Sequence, residues 1–158
     1  MTDAKKTVLI AMDESPHSAQ AFQWYIQELH KPEHRVLILG VVEVTHVDMI
    51  GVYPAMVPQG TAWREQFTKK KQHLTEFLQR LLEKSHCKEL DIKMKVLEGG
   101  RPGEVIVEEA QELKASLVVM GTRGLGTLRR TILGSVSDYV IHHAHCPVLV
   151  HRPSAETH

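Results

Sequence analysis

Apolar positions along the chain alternate between short continuous runs and stretches of helical spacing. Thr7–Met12 is an apolar run closed by a turn signal, and it predicts a buried first strand. Ser15-Pro16 then reads as a helix N-cap with a first-turn proline, and the helix places Ala19, Phe22, Ile26 and Leu29 on one face. Arg35–Val44 is a second strand, apolar enough to be buried on both sides. A loop of about 15 residues, Thr45 to Gly60, is long for a compact domain. It carries Met49, Ile50, Tyr53, Met56 and Val57, which suit a folded lid or dimer-adjacent loop better than a solvated linker. Thr61 to Ser85 predicts a helix through Phe67, Leu74, Phe77, Leu78 and Leu81. Leu90–Leu97 alternates as a half-buried strand through Leu90, Ile92, Met94 and Val96. Arg101-Pro102 opens a third helix with Ile106, Ala110 and Leu113 inward. A strand at 115–120, a helix from Ser135 to His143 and a closing strand Pro147–Val150 complete the series.

Strands that alternate with helices and are apolar throughout imply a parallel sheet covered on both faces. The expected fold is a Rossmann-like three-layer α/β/α sandwich, one domain over 1–158 with five parallel strands and four main helices. Ligands in such sheets sit beyond the carboxyl ends of the strands, where strand order reverses. If the order is 3-2-1-4-5, strands one and four are neighbours there. Asp13 then meets Gly121 despite more than a hundred intervening residues.

Composition narrows the field. Of 158 residues 24% are charged, with 19 basic and 19 acidic side chains, so there is no overall basic footprint for nucleic acid. Any anion site has to be local. No apolar run reaches the length of a membrane span. Lys5-Lys6 before the first apolar run is too short a match for a signal peptide. Cys87 and Cys146 do not make a disulfide framework, and a reducing cytoplasm is the expected setting.

The local anion site has an evident candidate. Gly121-Thr-Arg-Gly124, nine residues, and Gly134-Ser135-Val136-Ser137 join the fourth strand to the fourth helix. Glycines allow close backbone approach to an anion, and the helix start offers free N–H groups and a positive dipole end. Ser135 and Ser137 add hydroxyls, and Arg123, Arg129 and Arg130 add cations. Each residue also has a plainer reading. The glycines suit tight turns. Ser135 with Asp138 fits a capping box, and Asp13 could cap the first helix. The Arg129-Arg130 pair suits a solvated loop. His142-His143-x-His145-Cys146 invites a metal reading, but adjacent helical histidines diverge by about 100° and finger-type ligand spacing is missing, so no metal site is assigned to the protein's side chains.

The Gly121-x2-Gly124-x9-Gly134-Ser135 spacing, the strand-end Asp13 and the closing Cys146-Pro-Val-Leu-Val150 together resemble the ATP-binding branch of the universal stress protein family, over essentially the whole chain. The long 45–60 loop is similar to those of eukaryotic, animal-type single-domain members. The resemblance implies a 3-2-1-4-5 sheet with ATP at the reversal, and ATP would normally bring Mg²⁺ with it. It implies ribose contact by Asp13 and adenine contact by the backbone of Val41 and Val42, with Met120 near sugar or base. Gly121, Arg123, Gly124, Gly134, Ser135, Val136 and Ser137 would wrap the phosphates. It further implies a homodimer through the last strand, about Cys146 to His151. The doubled Gly99-Gly100 departs from the family pattern.

Two functions follow from that resemblance: a small dimeric nucleotide-dependent regulator in stress response, or a slow ATPase or phosphoryl/nucleotidyl transferase at the same site. The chain lacks a Gly-x4-Gly-Lys-Ser/Thr loop and a kinase catalytic loop. Asp13-Glu14-Ser15 stands where a dinucleotide fingerprint would. Binding is therefore expected over catalysis, with AMP or a cyclic nucleotide as alternative adenine ligands.

Overall fold

The computed structural model describes residues 5–44, 62–85, 87–122 and 133–153. Nine elements alternate along them: β1 (Lys6–Met12), α1 (Pro16–Glu28), β2 (His34–Glu43), α2 (Ala62–Lys84), β3 (Ile92–Gly99), α3 (Pro102–Glu112), β4 (Leu117–Gly121), α4 (Ser135–His143) and β5 (Val148–His151). The five strands form one parallel sheet in the order β3-β2-β1-β4-β5. The expected architecture is the observed one.

Continuous apolar strands are needed because each serves two cores. Val8, Ile10 and Met12 join Val36, Ile38 and Val42 beneath Phe22 and Tyr25 of α1 and Leu74 and Leu78 of α2. The intervening Leu9 and Ala11 join Leu39, Val118 and Met120 beneath Ile106 and Ala110 of α3 and Val140 of α4. Side chains alternate across a strand, so one apolar run supplies both layers. The half-buried edge strand β3 alternates instead, as expected. Its Lys95 reaches the nearly buried Glu109 of α3 with Nζ 2.8 and 2.9 Å from the two carboxylate oxygens, pairing a charge that would otherwise be costly to bury.

Three local expectations are corrected. The buried stripe of α1 runs through Ser18, Ala21, Phe22 and Tyr25, with Ile26 and Leu29 at its margin and Ala19 only partly buried. Polar letters hide this stripe in the sequence. Ser18 Oγ donates to the carbonyls of Asp13 (2.7 Å) and Ser15 (3.0 Å), and the Tyr25 hydroxyl meets His34 Nδ1 at 2.8 Å. Leu113 is not inward: α3 has ended, Lys114 turns left-handed at φ 49°, and Leu113 is 36% exposed. Leu90 precedes β3, in a turn closed by Leu90 N–H to the Cys87 carbonyl at 3.0 Å. The strand instead runs on to Gly99. A Cβ at Gly99 would lie 2.3 Å from Val105 Cγ2, so glycine lets the first turn of α3 close over the strand end.

Candidate functional site

Beyond the carboxyl ends of β1 and β4, which pair through Ala11 and Met120, lies a cleft of about 250 Å³. The sheet order reverses here. Asp13, Val41, Met120, Gly121, Gly134, Ser135, Val136 and Ser137, separated widely in sequence, all line it. Its apolar floor includes Leu39, Ile106 and Met120. Val42 does not join them: its side chain is buried in the core on the α2 face. It borders a neighbouring recess of about 380 Å³, shared with Asp13, Glu14 and Lys70. Arg123, Gly124, Arg129, Arg130 and the 45–60 loop lie outside the described residues.

One rim of the cleft is the start of α1. Ser15 is the N-cap, and its hydroxyl oxygen accepts from Ser18 N–H at 3.3 Å. Pro16 at the first helical turn brings no N–H of its own. Behind the cap, Asp13 Oδ1 accepts from Ser15 N–H (2.9 Å) and Ser15 Oγ (2.5 Å). Asp13 therefore does not cap α1 itself but braces the Ser15 cap, while lining the cleft. Gly121 is held by the same end of the helix. A Cβ there would stand 2.5 Å from the His17 carbonyl oxygen, a backbone atom that cannot step aside.

The opposite rim is the start of α4. Gly134 is its N-cap (φ −64°, ψ 151°), and among the described residues no side chain caps it. The Ser135–Asp138 capping box expected as an alternative does not form, because Ser135 is already the first helical residue. Asp138 lies instead toward His142, with Oδ1 3.7 Å from Nδ1. Ser137 is buried, and its hydroxyl donates back to the Gly134 carbonyl at 2.9 Å. Its hydroxyl proton is committed to the turn, and among the described residues its backbone N–H and those of Ser135 and Val136 are the uncapped donors of this end. A helix start with donors and no internal acceptor suits an anion.

Sequence reasoning missed Ser15, Ser18, Leu39, Glu43, Pro102 and Ile106 as lining residues. For Leu39 and Glu43 the signal was available: in a strand they share a face with Val41. For Pro102 and Ile106 it was not, because only the packing of α3 across the sheet brings them in.

The histidine-rich end of α4 is used locally. His142 and His143 donate from Nδ1 to the carbonyls of Asp138 and Tyr139, both at 2.8 Å. The His143 ring stacks on Tyr139 at 3.9 Å. Burial pushes the Cys146 thiol up from its ordinary value, against a smaller opposing effect of a backbone hydrogen bond to Val118, which disfavours a thiolate nucleophile. At the edge strand β5, His151 lies 5.5 Å from the Trp24 ring, and burial lowers its affinity for a proton. Among the described residues no helix is long and apolar enough to cross a membrane.

Comparisons with known proteins agree with this architecture. Residues 5–152 match the profile of the universal stress protein family. A universal stress protein of Synechocystis, Sll1388, is 31% identical over 152 residues, covering 90% of this chain and 95% of that protein. Among solved structures, the universal stress protein UspA from Lactobacillus plantarum superposes with a TM-score of 0.73 at 22% identity, over 94% of this chain and 99% of its own. A universal stress protein solved in complex with cAMP superposes with a TM-score of 0.65 at 22% identity, over 95% and 98%. The structural likenesses speak to the fold, and the profile and the Synechocystis relative to descent: the chain belongs to the universal stress protein family.

Proposed function

We propose that the chain is a cytoplasmic ATP-binding member of its family, acting as a homodimeric, nucleotide-dependent regulator in stress response. The observation that carries this reading is the uncapped start of α4 facing a cleft at the reversal of strand order. Phosphate oxygens would take the N–H groups of Ser135, Val136 and Ser137. Gly121 and Gly134 would keep the backbone close, with Arg123 and Gly124 completing the wrap. Asp13 would meet the ribose, and the Val41 and Val42 backbone the adenine, with Met120 beneath the sugar or base. That a relative of the same fold was solved with cAMP supports an adenine ligand. Edge strand β5 would pair with its copy and so cover an open edge.

Binding is favoured over turnover by what Asp13 does. Its Oδ1 is engaged by Ser15, the arrangement of a brace and not of a base poised on water. Bound ATP would bring Mg²⁺ as its counter-ion.

The test is to purify the protein, identify any co-purifying nucleotide by chromatography and mass, and titrate ATP with Mg²⁺ by calorimetry. Micromolar binding of ATP that stays intact over an hour is the expected result, and Gly124→Val should abolish most of it in a folded protein. Bound ADP with steady turnover would replace the regulator with an enzyme. No binding would leave the glycine segment as a turn.

A further inference from the structure

We propose that His151 makes the pairing of β5 with its copy acid-sensitive, so that the dimer holds while this imidazole is neutral and comes apart once it takes a proton. The inference rests on the dimer reading above and adds a regulation to it.

The two edges of the sheet differ. Edge strand β3 interleaves the exposed Lys93 and Lys95 with its apolar residues, and lysines on an edge discourage a further strand. Edge strand β5 reads Val148-Leu149-Val150-His151, each residue half-buried and none with a fixed charge. Of these four only His151 can become charged.

The setting of that ring favours its neutral form. Leu149 packs on the α1 side of the sheet, and His151, two residues on, shares that side, with its ring 5.5 Å from that of Trp24. Its backbone is fixed in the ladder opposite Gly121, and its carbonyl accepts from Thr122 N–H at 3.1 Å. Its Nδ1 is buried and, among the described residues, has no hydrogen-bond partner. A proton added to this ring puts a cation where water is already thinned out, and burial accordingly lowers its proton affinity below the ordinary 6.5. On α1 the titratable groups along the Trp24 face are His17, two turns earlier, and Glu28, one turn later. Strand β4 contributes none, and Arg152 follows in the chain. Asp138, His142 and His143 belong to α4, which packs on the other side of the sheet.

Pairing β5 with its copy covers the edge and takes further water from both His151 rings. The neutral form is then favoured more in the dimer than in the monomer, so assembly releases protons. By linkage the dimer is strongest above the ordinary histidine value and weakens as pH falls through the lowered one. An imidazolium held against the face of Trp24 would act in the opposite direction, and the sign of the pH dependence separates the two.

The experiment measures the mass of the wild-type chain by sedimentation over a dilution series, at about pH 7.5 and about pH 5.5, with circular dichroism confirming the fold at both. The expected result is a dimer whose dissociation constant rises about tenfold or more at the lower pH. His151→Gln, which cannot take a proton, should dimerise without this change, while His17→Gln should keep it. Because glutamine could unsettle the edge, the wild-type His151 ring is also titrated by NMR. Its midpoint should lie lower in a concentrated, dimeric sample than in a diluted, monomeric one, and equal midpoints overturn the inference. A dimer of unchanged strength across the two pH values, one that tightens at the lower pH, or a response that His151→Gln retains also overturns it and leaves the dimer reading standing. A wild type that stays monomeric at the higher pH overturns both.

Discussion

Helices α1 and α4 start on opposite rims of one cleft, and the two starts are finished differently. At α1 the chain supplies its own acceptors: Ser15 takes the Ser18 N–H, Asp13 takes the Ser15 N–H, and Pro16 brings no donor. At α4 the cap is a glycine with no side-chain bond among the described residues, and the Ser137 hydroxyl faces backward to the Gly134 carbonyl. A capping side chain stabilises a protein by about 1 kcal/mol, so its absence at α4 forgoes a readily available gain. The closed start secures the cleft, and the open one is where a ligand can be secured. Helix dipoles alone do not distinguish them, since both have one. What differs is whether the first donors are already satisfied.

That contrast can be broken from either side. The largest effect is expected where α1 and β4 meet. Gly121→Val would place side-chain atoms against the His17 carbonyl and should cost about 3 kcal/mol. That corresponds to a fall of roughly 10 °C in thermal midpoint, read by calorimetry or circular dichroism. A midpoint within error of wild type would mean the close approach of α1 is not required.

Removing the closed cap is the next step down. Ser15→Ala should lower unfolding free energy by about 1 kcal/mol in a denaturant titration, with a smaller loss of ATP affinity than capping of α4 brings. An unchanged stability would show that Asp13 and Pro16 suffice to start α1.

The smallest effect belongs to the far end of the sheet, which contains no part of the cleft. There His30 packs edge-on to Tyr25 and His34, and among the described residues its buried Nδ1 has no hydrogen-bond partner. Burial first, then the His34 charge, lowers its proton affinity below the ordinary 6.5, with Glu33 opposing. Burial likewise pushes the Tyr25 hydroxyl up to about 12, so it stays neutral throughout, 2.8 Å from His34 Nδ1. A histidine whose folded value is depressed contributes its stability above its unfolded value, and that contribution is lost as pH falls through the folded one. Denaturant midpoints should therefore drop modestly between pH 7 and 5, and less steeply in His30→Gln. An equal drop in both would assign the acid sensitivity to other groups, His151 among them.

Much of this organisation was legible in the sequence, and for a physical reason. Runs such as Val8–Met12 and Val36–Val42 have to feed two cores, so they are apolar without interruption, and a parallel sheet with helices on both faces follows. The meeting of Asp13 with Gly121 followed from strand order alone. What could not be read depended on which atoms satisfied which. Ser18 and Tyr25 carry hydroxyls that no apolar pattern picks out, and they are buried because those hydroxyls find partners inside. Ser135 looked like a cap until Gly134 took that place. Val42 turns its side chain into the core while Val41 faces the cleft, and the alternation of side chains along a strand would have added Leu39 and Glu43 to the lining.

The central claim, that the open start of α4 holds the phosphates, is tested most directly by closing it. Among the described residues a Cβ at Gly134 meets nothing nearer than Ser137 Oγ at 3.5 Å, and its φ of −64° suits any residue, so Gly134→Asp supplies a cap there. Calorimetric titration of ATP into this variant should show affinity reduced by about tenfold or more, with thermal stability equal to or slightly above wild type. Undiminished ATP affinity in the folded variant would contradict the account and move the phosphates away from α4.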